Sequence, residues 1–196
     1  MPVDDGLIGG IHVTRLARAE AGAPHDHEAF QASTLDALMR GSLRGDLTIG
    51  ESAAIVTYLA ETYGGGGRTA LIPTAPQARA KYFEWLSFIC MELDATSLYI
   101  LRRHEYLPEI YGEAEQAVTS SKAYFARMIE AGAQLYDTRS SYLLGDAFSG
   151  VDILMTTVLA WAVRYGQPLP HPFPAYLERV TERPTYQRAV AANREP

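Results

Sequence analysis

Four consecutive glycines, Gly64 to Gly67, divide this chain into two unequal parts. Glycine loses more conformational freedom on folding than any other residue, so such a run is costly inside a helix or strand and reads as a joint. Pro73 and Pro76 follow within ten residues, so 64–76 reads as a linker. It separates a first unit, 1–63, from a longer second unit, 77–196. A length of 196 residues accommodates one large domain or two small ones, with a substantial buried core.

Beyond the linker the apolar pattern is helical throughout. Tyr82, Leu86, Ile89, Leu93, Ser97 and Ile100 recur at steps of three and four, which predicts a long helix over 77–104. Pro108 and Gly112 interrupt the chain, and Val118, Phe125, Met128, Ile129 and Leu135 trace a second stripe. A third helix is expected to start at Ser149 and run toward Tyr165. There Ser149 and Asp152 have the S-x-x-D spacing of a capping box, in which each side chain can satisfy the other's backbone N–H. Four prolines in 168–174 exclude helix or central strand, and two short helices are predicted over 175–181 and 184–192.

Charge and composition narrow the function. A net charge of −6 opposes nucleic-acid binding, which needs a basic surface. No apolar run approaches the roughly 20 residues of a membrane span. The N-terminus, with Asp4 and Asp5 ahead of Leu7 and Ile8, lacks the layout of a signal peptide. Cys90 is the single cysteine, so no internal disulfide forms, and a reducing, cytoplasmic location is expected. Cys90 lies on an apolar helix face without a basic neighbour and reads as inert core. His25 and His27 lack a third ligand at useful spacing, so no metal is expected. Arg44-Gly45-Asp46 reads as a hairpin turn.

The stretch 47–59 carries the chemistry. Leu47-Thr48-Ile49 alternates like a strand, Glu51-Ser52 follows, and an apolar-periodic helix begins at once. A helix N-terminus presents unpaired N–H groups and the positive end of its dipole, which attract a carboxylate or phosphate. The Ser52 hydroxyl adds a donor there and the Glu51 carboxylate can hold an ammonium group. Together they can grip both charged groups of an α-amino acid. The bland alternative is that Ser52 merely caps the helix.

These residues resemble the segment with which cytosolic glutathione S-transferases, of the bacterial type, hold the γ-glutamyl end of glutathione. Tyr142-Leu143-Leu144-Gly145-Asp146-Ala147-Phe148-Ser149-Gly150-Val151-Asp152 is similar to that family's central capping box, and Arg183-Pro184-Thr185-Tyr186 to its final helix. Val13 to Pro24 resembles its first helix. The resemblance implies an α+β protein: a shortened thioredoxin-like N-terminal domain over 1–63, then an all-α glutathione-transferase domain over 77–196. It departs from the family in two places. Residues 1–12 hold no Ser, Tyr or Cys to bind the glutathione sulfur, and no proline precedes Glu51 where the family has a cis-proline. The catalytic donor therefore stays unassigned. Thr14 is the nearest hydroxyl, and the N–H groups around Gly9-Gly10-Ile11 are an alternative without a side chain.

The resemblance further implies a homodimer that transfers glutathione, as co-substrate and without another cofactor, to small electrophilic, mostly apolar molecules. Glu51 and Ser52 would bind glutathione. Tyr99, Arg102, Arg103 and Tyr106 would line the electrophile pocket, although cations at the end of a helix also simply complement its dipole. Asp94 would reach glutathione bound by the partner subunit. The rival reading is a non-catalytic binding or interaction module of the same family that has lost thiol activation.

Overall fold

The computed structural model describes residues 41–42, 48–63 and 70–194. The chain divides into two compact units, one formed by Ala75–Thr181 and the other by the residues on either side of it. The glycine run, the helix expected over 13–24, the His25–His27 pair, Arg44–Asp46 and residues 9–14 lie outside the described residues.

In the flanking unit, β1 (Gly41–Ser42) and β2 (Thr48–Ile49) pair antiparallel with Gly41 opposite Ile49 and Ser42 opposite Thr48. Two residues after β2 the chain enters α1 (Ser52–Tyr63), which buries Ile55, Val56, Leu59 and Ala60. These positions follow the i, i+4 rule of one helical face. Leu71 and Ile72 are buried as well. The final helix, α8 (Pro184–Arg194), opens on a proline, whose fixed φ and missing N–H suit the first turn.

The central unit is all helical. Its first rod begins as α2 (Pro76–Ser87), passes through π-helical turns Phe88–Leu98, a short α3 (Tyr99–Leu101) and further π-helical turns Arg102–Tyr106. The buried stripe is Tyr82, Trp85, Ile89, Leu93, Ser97, Leu98 and Leu101, while Leu86 and Ile100 are only half-buried. Trp85, Ile89, Leu93 and Ser97 are three successive steps of four. In an α-helix each such step drifts about 40° around the axis. The i→i+5 bonding of the π-helical turns takes more residues per turn and brings Ile89, Leu93 and Ser97 closer to one line. Ser97 reinforces that register, its hydroxyl donating to the Glu92 carbonyl at 2.8 Å.

Leu107 leaves the helical region, α4 (Pro108–Tyr111) adds one turn, and Gly112 at φ +81° reverses the chain. Then α5 (Glu115–Leu135) runs back along the π-helical rod, burying Ser121, Phe125, Ile129 and Gly132. A Cβ at Gly132 would lie 3.1 Å from the Phe88 ring, so glycine there permits the close approach. The Tyr124 hydroxyl donates to the Glu92 carboxylate, a bond that holds the Tyr124 pKa above its ordinary value. Lys122 pairs with Glu105 at 2.5 Å.

The core of this unit is α6 (Gly150–Arg164), ten of whose residues are buried. It packs on the π-helical rod and on α7 (Phe173–Thr181). Asp152, fully buried, organises its start. One carboxylate oxygen accepts the Ser149 N–H at 2.8 Å and the Ser149 hydroxyl at 2.7 Å. The other accepts the Leu143 N–H at 2.9 Å and the Tyr176 hydroxyl at 2.7 Å. Burial pushes the Asp152 pKa above the usual carboxylate range, against the downward pull of these bonds. The box thus joins the preceding loop, α6 and α7 in one network. Cys90 is half-buried rather than in the core.

Candidate functional site

Glu51 and Ser52 occupy the turn from β2 into α1. The first intrahelical bond runs from the Ile55 N–H to the Glu51 carbonyl at 3.0 Å. Glu51 is therefore the N-cap and Ser52 the first helical residue. The cap role left open for Ser52 by the sequence falls to its neighbour. The N–H groups of Ser52, Ala53 and Ala54 have no acceptor within the helix, so three donors converge at its positive end.

Glu51 also has φ +64°, the left-handed region. For a residue with a Cβ this conformation costs about 1–2 kcal/mol. It is the single non-glycine residue with positive φ among those described. Strained conformations of this kind persist where the surroundings impose them and gather at ligand sites. The carboxylate is exposed, beside the half-buried Ser52. The turn therefore offers anion-binding N–H groups, a hydroxyl and a free carboxylate within two residues. No sequence signal marks this strain, since left-handed backbone is ordinarily announced by glycine or asparagine.

A second constellation lies in the central unit, at the end of the first rod. Tyr99 opens α3, and Arg102, Arg103 and Tyr106 belong to the π-helical turns that follow. The Arg102 guanidinium lies 5.9 Å from the Tyr99 ring centre and 5.9 Å from that of Trp161. Arg103 lies 5.7 Å from Tyr99 and 4.6 Å from Tyr111. Tyr106 meets Tyr165 at 4.5 Å between centres, and Tyr165 stands edge-on to Trp161 at 5.6 Å. The four residues singled out from the sequence thus belong to one cluster of arginines and aromatic rings. Tyr111, Trp161 and Tyr165 complete it and were not singled out. Trp161 and Tyr165 share a face of α6 at i, i+4 spacing, a pattern the sequence cannot tell from core packing.

Asp94 lies outside this cluster, half-buried in the π-helical turns Phe88–Leu98, with its carbonyl accepting the Tyr99 N–H. A separate open groove of about 550 Å³ runs between the rod and α5, lined by Thr96, Ile100, Ser120, Tyr124 and Arg127. Among the described residues, no group of three His, Cys, Asp or Glu side chains is placed to hold a metal ion. No helix among them is long and apolar enough to cross a membrane.

No family model matches the sequence, and no curated protein matches it. Solved structures do. BphK, a bacterial glutathione S-transferase described as a ternary complex, is 27% identical; the match covers 94% of this chain and 96% of that one, with a TM-score of 0.72. A glutathione transferase from Methylococcus capsulatus strain Bath shares 23% identity over 93% of each chain, with a TM-score of 0.71. The zeta-class bacterial maleyl pyruvate isomerase shares 22% over 95% of this chain and 94% of that one, at 0.72. The last two likenesses concern fold alone, while the first extends to sequence. On these grounds the chain is similar to the bacterial glutathione S-transferases in fold and, toward BphK, in sequence.

Proposed function

We propose that this protein binds reduced glutathione at Glu51 and Ser52 and joins its thiolate to small, mostly apolar electrophiles. The observation that carries the reading is the turn at Glu51: a strained, exposed acidic residue caps α1 through its carbonyl, leaving Ser52 at the first helical position beside three N–H donors without an acceptor inside the helix. A zwitterionic α-amino acid group complements that turn, its carboxylate on the Ser52 hydroxyl and helix N–H groups, its ammonium on Glu51. The family likeness supports the tripeptide thiol as its bearer. Glu51 and Ser52 act on the end of glutathione remote from sulfur, so their contribution is to position it. No side chain among the described residues is assigned to sulfur activation.

The aromatic–arginine cluster of Tyr99, Arg102, Arg103 and Tyr106 is proposed to hold the electrophile. The family likeness also supports a homodimer, with Asp94 directed at the γ-glutamyl ammonium bound by a second copy, a shortened thioredoxin-like first half, and a cytoplasmic location. The test is conjugation of glutathione with 1-chloro-2,4-dinitrobenzene, followed by the absorbance of the thioether. Turnover above the uncatalysed rate, with KM for glutathione raised at least about tenfold by Ser52→Ala, is the expected result. Turnover indifferent to Ser52, or none, contradicts it.

A further inference from the structure

The arginines of the cluster are held differently from the three described cations that form ion pairs. Lys81 pairs with Glu84 at 2.6 Å, Lys122 with Glu105 at 2.5 Å and Arg139 with Asp137 at 2.8 Å. Arg102 and Arg103 make no ion pair among the described residues. Glu105, their nearest carboxylate in sequence, is taken by Lys122. His104 between them and Glu105 bonds the Gly112 carbonyl at 2.8 Å. Arg103 Nε is closed off from solvent and has no acceptor at all.

Aromatic rings hold both guanidinium groups instead, Tyr99 and Trp161 around Arg102, Tyr99 and Tyr111 around Arg103. A ring attracts a guanidinium electrostatically and supplies no acceptor oxygen, so the N–H donors remain unspent. Those donors have the fork geometry that matches a carboxylate. Both guanidinium groups lie near the Tyr99 ring, at 5.9 and 5.7 Å from its centre, so an anion bound beside that ring is attracted by both. The rings themselves stay open: Tyr99 is 41% exposed, Tyr106 40% and Tyr111 39%. A flat aromatic ligand can stack or stand edge-on against them.

We propose that Arg102 and Arg103, with Tyr99, Tyr111 and Trp161, select aromatic electrophiles that carry a carboxylate or another compact anionic group. This rests on the transferase reading above, which makes the ligand an electrophile; the anion preference rests on the unpaired arginines alone. The ring of the substrate lies against the exposed tyrosines and its anionic group takes the guanidinium donors. In the reaction itself the glutathione thiolate forms a C–S bond at the electrophilic carbon. For a chloroarene, chloride leaves with the C–Cl electron pair, and the proton released in forming the thiolate goes to solvent.

The test compares two probes that differ only in charge, 4-chloro-3,5-dinitrobenzoate and 4-chloro-3,5-dinitrobenzamide. The ratio of their kcat/KM values is measured for the wild-type protein, for Arg102→Met/Arg103→Met and for Arg102→Lys/Arg103→Lys. Each ratio is corrected for the intrinsic reactivity of the two probes with glutathione in buffer. Binding of the unreactive 3,5-dinitrobenzoate and 3,5-dinitrobenzamide is read in parallel by quenching of tryptophan fluorescence. The wild type is expected to favour the acid by about tenfold, a preference lost in the methionine variant and partly kept by lysine. If the methionine variant does not fold, the lysine variant and the wild-type ratio still decide. A corrected ratio near one in the wild type, or one that survives both substitutions, overturns the proposal. Turnover of both probes without discrimination removes the anion preference and leaves the transferase reading standing. Arginine-dependent binding of the dinitrobenzoate without turnover of either probe does the reverse.

Discussion

Replacing Asp152 by alanine removes the acceptor of four donors at once: the Leu143 and Ser149 N–H groups and the Ser149 and Tyr176 hydroxyls. Asp152 and Tyr176 are fully buried and Leu143 and Ser149 are buried, so water does not readily replace the lost oxygens. A buried donor left without a partner costs about 1–3 kcal/mol. The hydroxyls can rotate toward other acceptors, whereas the two backbone N–H groups are fixed by the loop and the helix start. Burial raises the Asp152 pKa, so removing the carboxylate also removes a desolvation penalty that offsets part of the loss. The net expectation is about 3 kcal/mol, a large share of the 5–15 kcal/mol typical of a folded protein. Asp152→Asn provides the internal control. Its carbonyl oxygen can still accept from Leu143 and Tyr176, and its amide can donate to the Ser149 oxygen, so one N–H alone is stranded. About 1–2 kcal/mol is expected for it. Urea unfolding followed by far-UV circular dichroism, with midpoints and slopes compared, measures both. A cost below about 1 kcal/mol for alanine, or an asparagine variant no more stable than the alanine one, refutes the reasoning.

Further expectations are more local. Glu51→Gly relieves the left-handed strain, about 1–2 kcal/mol, and adds about 0.4–1 kcal/mol of unfolded-state entropy. Stability should hold or rise slightly while glutathione affinity falls, and urea unfolding paired with calorimetry reads both; an unstable variant contradicts the assigned strain. Asp137, bound by Arg139 through its backbone N–H at 3.0 Å and its guanidinium at 2.9 and 2.8 Å, has its pKa lowered to about 2 by those hydrogen bonds. Because its folded pKa lies below the ordinary value of 3.8, its stabilising effect is present above pH 3.8 and is lost as pH falls through about 2. Carboxyl carbon NMR should place its midpoint near 2 and Arg139→Ala should return it toward 3.8; an unchanged midpoint contradicts the pairing. Tyr176→Phe strands no donor and should cost about 1 kcal/mol. Most of that cost should vanish in the Asp152→Ala background, because the two residues share one bond.

The sequence announced the helical unit through features confined to a few neighbouring residues. Ser149 and Asp152 stand three apart, so their capping box was legible. Tyr176 and the Leu143 N–H, which share the same carboxylate, were not, because they come from 24 and 9 residues away. The long first helix was expected over 77–104 and is helical from Pro76 to Tyr106. Trp85 and Leu101 belong to its buried stripe, whereas Leu86 and Ile100 lie at the edge. Only the backbone register, invisible in a period count, decides between those sets. Glu51 and Ser52 were found by residue type at a strand-to-helix junction, yet the φ of +64° that distinguishes them belongs to the three-dimensional turn. Tyr99, Arg102, Arg103 and Tyr106 were named as a helical group. Tyr111 and Trp161 joined them through tertiary contact across separate helices.

The most direct test of the account is calorimetric titration of the wild-type protein and of Glu51→Ala/Ser52→Ala with reduced glutathione. The account predicts saturable binding of one glutathione per chain in the wild type, and its loss in a double variant that remains folded by circular dichroism. A folded wild-type protein that takes up no glutathione, or a double variant that binds it as tightly as the wild type, contradicts it.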